Sequence, residues 1–272
     1  MRTTIFCAAA VLPALLCAGT VTNTVSLFDL LRNGEVDYHL GPSSDVRDPP
    51  AEIFSLQDKL LHISGRGYGY MATKASFRDY HLVLEFKWGQ KTWGKRAACA
   101  RDNGILVHAH GPHGVMGNIW IASFEAQIIE GGMGDIIVID GKDAQGVPVN
   151  SQLTSESELD RDGEKRWKKG ASRQTVTGGR VNWALRDEDW KDVLGYRGTH
   201  DPDAPTGEWN RLEVIAQGDT LRYLVNGQLV NEAFDVTPCE GRVCIQTEAA
   251  EMIVRRFELW PLNRFDEPWP SR

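Results

Sequence analysis

The chain has 272 residues, 42% apolar and 25% charged, with 27 Gly and 9 Trp, a globular composition that excludes a wholly disordered, collagen-like or disulfide-framework protein. Its 37 acidic against 30 basic side chains give a formal charge of −7, which argues against a protein that coats nucleic acid. A phosphate-bearing partner would need a local basic patch.

The first residues have the layout of an export signal: Arg2, an almost wholly apolar run from Ile5 to Leu16, then the small residues Cys17, Ala18 and Gly19. The run is too short to span a bilayer. A signal peptide over residues 1–19 is therefore expected, cut near Gly19 or Thr20, with the mature protein secreted or periplasmic and without an integral membrane segment. Leu16 is a poor match to the small residue that a lipobox places before its cysteine, which disfavours lipid anchoring at Cys17. Cleavage removes one base, Arg2, and no acid, so the charge goes from −7 to −8. Of five cysteines, Cys99, Cys239 and Cys244 remain, and in an oxidising compartment two of them can pair; the alternative is three small apolar side chains.

Beyond the leader the pattern is alternation rather than helical period. Gly65-Arg-Gly-Tyr-Gly69 lacks the lysine and following helix of a phosphate loop and reads as a turn between strands. His81 to Lys87 puts Leu82, Leu84 and Phe86 on one face, with Glu85 and Lys87 on the other. Gly104 to His110 sets Ile105, Val107 and Ala109 against His108 and His110. Phe124 to Ile129 sets Phe124, Ala126 and Ile128 against Glu125 and Gln127. Residues 153–180 are polar and charged, and read as an insertion: an excursion from the sheet or a short helix in a long loop. Arg211 to Gln217 turns Leu212, Val214 and Ala216 inward; Gly218-Asp219 leads into Leu221 to Val225, and Asn226-Gly227 marks another hairpin. Val243 to Thr247, with Gln246 and Glu248 on one parity, and Ile253 to Leu259 complete the set. Short strands at this spacing, without long amphipathic helices between them, predict an all-β sandwich or jelly roll in a single domain.

If the strands adjoin, Glu85, Lys87, His108, His110, Glu125, Gln127, Gln246 and Glu248 cover one face with acids, imidazoles and amides. For any single pair this is an ordinary wet face, but the combination points to a binding surface. Trp88, Trp93 and Trp120 lie close by in sequence, and an indole beside acids and amides suits a sugar; Trp120 is the best stacking candidate, whereas Trp183, Trp209 and Trp260 read as core.

Phe28-Asp-Leu-Leu-Arg-Asn-Gly34, Phe77 to Lys87, Arg101-Asp-Asn-Gly-Ile105, Phe124-Glu-Ala-Gln-Ile-Ile-Glu-Gly-Gly132, Gly207-Glu-Trp-Asn-Arg-Leu-Glu213, Val225-Asn-Gly-Gln228 and Ile245-Gln-Thr-Glu248 together resemble the 3-keto-disaccharide hydrolase domain. The resemblance runs over residues 27–262 in one order, leaving 263–272 as a C-terminal tail. It implies a concanavalin A-like jelly roll that acts on 3-keto-disaccharides or 3-keto-glucosides.

A ketone at carbon 3 of a sugar acidifies the proton on carbon 2, so a base can remove it, the enolate can expel the glycosidic oxygen from carbon 1, and water can then add to the enone. Such a route needs a base, an enolate stabiliser and a proton donor, not the paired carboxylates of an ordinary glycosidase. Glu125 or His108 is the candidate base, and Gln127, Lys87 or Arg101 the group that polarises the ketone. Asn103, Trp120, Gln246 and Glu248 join Lys87 and Arg101 as candidate substrate contacts. A divalent metal on His108, His110 and Glu125 is a further candidate, because His-x-His on one strand is a common ligand spacing. Glu130 and Asp135 are expected to orient substrate or cap a turn. The rival expectation is a non-catalytic, lectin-like carbohydrate-binding domain on the same fold.

Overall fold

A computed structural model describes residues 19–42 and 48–270. The signal peptide, apart from Gly19, and Cys17 with it, lie outside the described residues.

Two antiparallel sheets face each other across one core. The first has seven strands in the order Gly179–Val181, Ile136–Ile139, Ala122–Ile129, Asp102–His110, Arg242–Glu248, Tyr68–Thr73 and Val36–Leu40. The main path of the second runs Lys165–Trp167, Gln152–Leu159, Gln228–Thr237, Thr220–Val225, Asn210–Gln217, Tyr80–Thr92, Ala250–Trp260, Leu60–Ile63 and Phe54–Gln57. Helix is confined to short pieces such as Leu27–Arg32 and Pro50–Ile53, and no described helix is long and apolar enough to cross a membrane. This is an all-β jelly-roll sandwich.

The alternation explains the sandwich strand by strand. Leu82, Leu84 and Phe86 from one sheet meet Phe124, Ala126 and Ile128 from the other in a shared core, and Leu212, Val214 and Ala216 join them. Each leucine, isoleucine, valine and phenylalanine among them contributes roughly 1.5–3 kcal/mol by leaving water. The opposite parity of the long strand Tyr80–Thr92 faces outward on the larger sheet. There His81 Nε2 pairs with Glu213 at 2.7 Å, and Glu85 takes Arg211 at 2.6 Å and Arg255 at 2.7 Å. Burial opposes ionisation of Glu85, but these two guanidiniums hold its carboxyl below the ordinary range.

One strand departs from strict alternation. His110 pairs with Ala122 but Val107 with Phe124, so His108 and Ala109 together oppose the single residue Ser123, and His108 has a φ of +51°. This β-bulge reverses the parity beyond Val107. His108 enters the core edge-on to Tyr80 and Phe124, while Ala109, expected inside, packs on the outer face with Leu106.

Residues 153–180 are not a loop or helix. They form Gln152–Leu159, Lys165–Trp167, Arg173–Val176 and Gly179–Val181, and so add strands to both sheets. Leu153, Trp167, Val176 and Val181 supply the core side. Their charges are matched across strands, Glu158 with Lys168 at 2.6 Å and Glu156 with Arg173 at 3.4 Å, which lets a polar sequence stay extended.

All three described cysteines are free: Cys244 is buried, while Cys99 and Cys239 are half-buried. The tail after Trp260 lies back on the larger sheet, where Glu267 pairs with Arg256 at 2.6 Å and Trp269 lies under the Arg211 guanidinium.

Candidate active site

The outer face of the seven-stranded sheet carries the chemistry. Pairing aligns Glu125 with Leu106 on one side and Ile137 on the other, with Arg180 beyond Ile137. One row along, Gln127 lies beside Gly104 and Gln246 beside Tyr70; in the next, Asp102 lies beside Glu248 and Glu248 beside Tyr68. Gly104 matters because it is bare. A Cβ there would collide with Glu125 Oε1 and come within 2.8 Å of Gln246 Oε1, so the absent side chain is what lets both lean over the strand.

These groups are dry yet polar. Glu125 is 5% exposed, Asp102 7% and Gln246 1%. Gln127 Nε2 donates to Asp102 Oδ1 at 2.5 Å, and Arg96 reaches Asp102 Oδ2 at 3.2 Å. Arg180 Nη1 donates to Asp135 Oδ2 at 2.9 Å. The Oε1 atoms of Gln127 and Gln246 are buried without a protein hydrogen-bond partner.

Three carboxyls this close, Glu125 and Asp102 buried and Glu248 half-buried, cannot all ionise at neutral pH. Burial, then the charges of Asp102 and Asp135, push Glu125 up to about 8, with Arg180 and the Gln246 amide pulling the other way. Burial also raises Asp102 to about 7, against Arg96 and Arg180. Glu248 is held well above the carboxylate range by burial and by repulsion from Asp102 and Glu125. Near pH 7 the cluster therefore retains protons that belong to the group rather than to one residue, and it holds acid and base in one place.

Beyond the carboxyls the same face turns apolar: Tyr70, Ala72, Leu106, Ile121, Ile139 and Cys244 form a second buried cluster with Trp120 packed against it. Residues 111–120 border that half, tied down by Tyr70 Oη to His113 Nδ1 at 2.7 Å and His39 Nε2 to the Asn118 carbonyl at 3.1 Å. The cluster itself is buried, and half-buried Trp120 is the aromatic surface it leaves accessible.

The face gathers Glu125, Gln127, Gln246, Glu248 and Trp120 of the residues singled out in the sequence. Others lie elsewhere. Glu85 and Lys87 are on the outside of the opposite sheet, Lys87 over the Trp209 ring at 5.1 Å. Arg101 is buried in an ion pair with Glu130 at 2.8 Å. Asn103 braces the sheet, its Nδ2 donating to the Gln246 carbonyl at 3.0 Å and its Oδ1 accepting from the Gly104 N–H at 2.8 Å. Asp135 and Glu130 likewise pin loops: Trp183 N donates to Asp135, and Gly195 N to Glu130. Of the tryptophans read as core, Trp183 is fully buried, whereas Trp209 and Trp260 are half-buried under arginines.

His108 points to the other side of the sheet from Glu125, so it is neither base nor partner to it. His110, at the strand end, contacts the carbonyls of His108 and Asn150 at 3.0 and 3.1 Å. The proposed metal set His108, His110 and Glu125 thus does not converge, and among the described residues no group of three His, Cys, Asp or Glu side chains forms a metal cradle. Burial lowers His108 to about 4 from its ordinary 6.5. The unfolded chain binds that proton first, so native stability is lost as pH falls from 6.5 toward 4. His108→Leu should flatten this acid loss in a thermal melt series and keep turnover within a few-fold of the parent, an outcome incompatible with a catalytic imidazole.

Asp102, Arg96, Arg180 and Tyr68 are not among the candidate site residues read from the sequence, although Asp102 lies in the Arg101–Ile105 motif. Asp102 shares parity with Gly104 and Leu106 and was legible from the strand alone. Arg180 was not, because it comes from the segment read as an insertion.

A family model described as the 3-keto-alpha-glucoside-1,2-lyase-like domain matches residues 38–259, which include every strand of this face except the first two residues of Val36–Leu40. The chain belongs to this family. No protein of curated function matches it. Among solved structures it is similar to a Parabacteroides distasonis ATCC 8503 protein provisionally described as a glycosyl hydrolase (16% identity, 89% of this chain, 100% of that one, TM-score 0.48). It is also similar to a Bacillus licheniformis β-glucanase (9%, 88%, 97%, 0.44) and to the carbohydrate-binding module CBM66 of Bacillus subtilis (10%, 82%, 94%, 0.42).

Proposed function

We propose that this family member cleaves 3-keto-glycosides by elimination across carbons 1 and 2, with Glu125 as the base. The observation that carries the reading is the carboxyl cluster of buried Glu125 and Asp102 with half-buried Glu248, whose raised proton affinities suit an acid–base pair near neutral pH. In the first step the Glu125 carboxylate takes the carbon 2 proton, and the C–H electron pair moves to make the enolate of the carbon 3 ketone. Arg180, which commits Nη1 to Asp135, stands on the same face to balance the enolate charge. In the second step the pair returns to form the carbon 1–carbon 2 double bond, the bond from carbon 1 to the glycosidic oxygen breaks, and the aglycone leaves as an alcohol. The proton it needs comes from the acid form of Glu248 or Asp102. Addition of water to the enone at carbon 1 then completes hydrolysis.

Trp120, half-buried at the edge of the apolar cluster, would take the less polar face of the ring. Retention of export, as the leader suggests, would place this reaction outside the cytoplasm.

The test offers a 3-keto-glucoside, its carbon 2 deuterated form and the unoxidised glucoside, with aglycone release followed by chromatography. Cleavage confined to the keto sugar and slowed by deuterium is expected. Rapid cleavage of the unoxidised glucoside would overturn the mechanism, and binding of keto sugars with no release would turn the assignment to a carbohydrate-binding domain.

A further inference from the structure

Asp102 and Glu248 are partners across one strand pair, yet their carboxyls have unequal surroundings. Both oxygens of Asp102 face donors: Oδ1 accepts from Gln127 Nε2 at 2.5 Å, and Oδ2 lies 3.2 Å from Arg96 Nη2. Each contact favours the carboxylate. Glu248 has neither. It is half-buried, and among the described residues its carboxyl makes no hydrogen bond and no ion pair, which leaves it open to a ligand.

Arg96 is held in place from two sides. It ends the short turn Gly94–Arg96, and its Nη2 donates to the Ala100 carbonyl at 2.8 Å and to Asp192 Oδ1 at 3.3 Å. Asp192 Oδ1 also accepts from the Ala100 N–H at 3.0 Å, which ties the turn to the loop around Asp192. The other charged or titratable groups that act on Asp102 and Glu248 are Glu125, Arg180, Asp192, Tyr68 and Cys99. Arg180 commits Nη1 to Asp135, and burial first of all lifts the Tyr68 phenol and the Cys99 thiol above their ordinary ranges, so both are neutral near pH 7. Arg96 is therefore the cation in direct contact with this carboxyl pair.

A proton donor must still hold its proton when the base has lost its own. Burial, offset in part by Arg96, leaves Asp102 at about 7, lower than Glu125 at about 8, whereas burial and the charges of Asp102 and Glu125 keep Glu248 well above the carboxylate range. Asp102 thus ionises before the base does, and Glu248 after it.

We infer that Glu248 is the proton donor to the departing glycosidic oxygen, and that Arg96 is the positioning residue that makes it so by holding Asp102 as the carboxylate. The inference rests on the elimination reading and narrows its donor to one residue. As the bond from carbon 1 breaks, its electron pair stays with the glycosidic oxygen, which takes the Glu248 proton and leaves Glu248 ionised. When water adds, its oxygen bonds to carbon 1 and one of its protons passes to the Glu248 carboxylate. The acid form of Glu125 returns its proton to carbon 2, so both carboxyls end as they began.

Two substrates separate this role from a structural one: methyl 3-keto-glucoside, whose alcohol must be protonated to leave, and 4-nitrophenyl 3-keto-glucoside, whose phenolate leaves without help. Glu248→Gln should raise the ratio of aryl to methyl turnover by roughly 100-fold or more, the size of a general-acid contribution, whereas Asp102→Asn should lower both rates together. A ratio unmoved in Glu248→Gln, or moved instead in Asp102→Asn, overturns the assignment. Carboxyl carbon resonances of the full chain, followed against pH, read the proton placement without turnover. Asp102 should ionise at lower pH than Glu248, Arg96→Gln should raise the Asp102 transition by roughly 1–3 pH units, and Arg96→Lys should restore it. The reverse order, or an Asp102 transition indifferent to Arg96, overturns the positioning role. Release of aglycone from neither keto sugar by the parent overturns the elimination reading itself, and the donor with it.

Discussion

Glu125→Gln is expected to cut turnover of a 3-keto-glucoside by roughly 10²–10⁴-fold while leaving the fold intact, since loss of a general base has that magnitude and glutamine keeps the shape of the side chain. For the parent, kcat/KM should climb as pH rises toward 8, because Glu125 must shed its proton to act and burial holds that proton up to about 8. The variant should lose this limb. Stability should move the opposite way. Between the ordinary 4.5 and about 8 the native chain binds the Glu125 proton more tightly than the unfolded chain does, so native stability falls as pH rises through that interval. Glu125→Gln removes the titration and should melt higher than the parent at pH 8, by an amount on the order of a few kcal/mol. Near-normal turnover in the purified variant would remove Glu125 from the chemistry.

Asp135→Ala should have the largest effect on stability. Asp135 is fully buried, its Oδ1 accepts from the Trp183 N–H at 2.7 Å, and its Oδ2 takes Arg180 at 2.9 Å together with Arg186. Removing the carboxylate strands a buried backbone donor and the Arg186 guanidinium, itself 7% exposed, with no countercharge. Breaking one side of a buried pair costs about 3–5 kcal/mol, which for a chain of this size lowers Tm by roughly 6–20 °C. Arg180 would also lose its anchor, so keto-sugar turnover measured below the lowered melting range should drop as well. A melting point within a degree or two of the parent would contradict this account of the Asp135 network.

The two variants separate the roles of one charged neighbourhood. Glu125 is near Arg180 but makes no ion pair in which a partner would be stranded, so its loss falls on catalysis. Asp135 is the hub that the neighbouring cations require, so its loss falls on the fold first.

Period-2 alternation determined most of the architecture by itself, because burying one face of a strand forces every second residue to be apolar. Leu82, Leu84, Phe86, Phe124, Ala126 and Ile128 announce their faces in this way, and the same parity brings out Glu125, Gln127, Gln246 and Glu248. Parity says which residues share a side of their own strand. It does not say which sheet the strand joins, and only the tertiary pairing sent Glu85 and Lys87 to the opposite outer surface. Nor does it reveal an extra residue in a ladder: the bulge at His108 turned that ring into the core and undid the metal set built on strict alternation. The segment holding Arg180 was opaque for a third reason, since its charges are matched by cross-strand partners that exist only after folding. Burial, finally, is a property of the assembled sandwich. Glu125, Asp102 and Glu248 are ordinary carboxylates as a sequence, and they become a proton-holding cluster only because packing buries the first two and brings all three within reach of one another's charge.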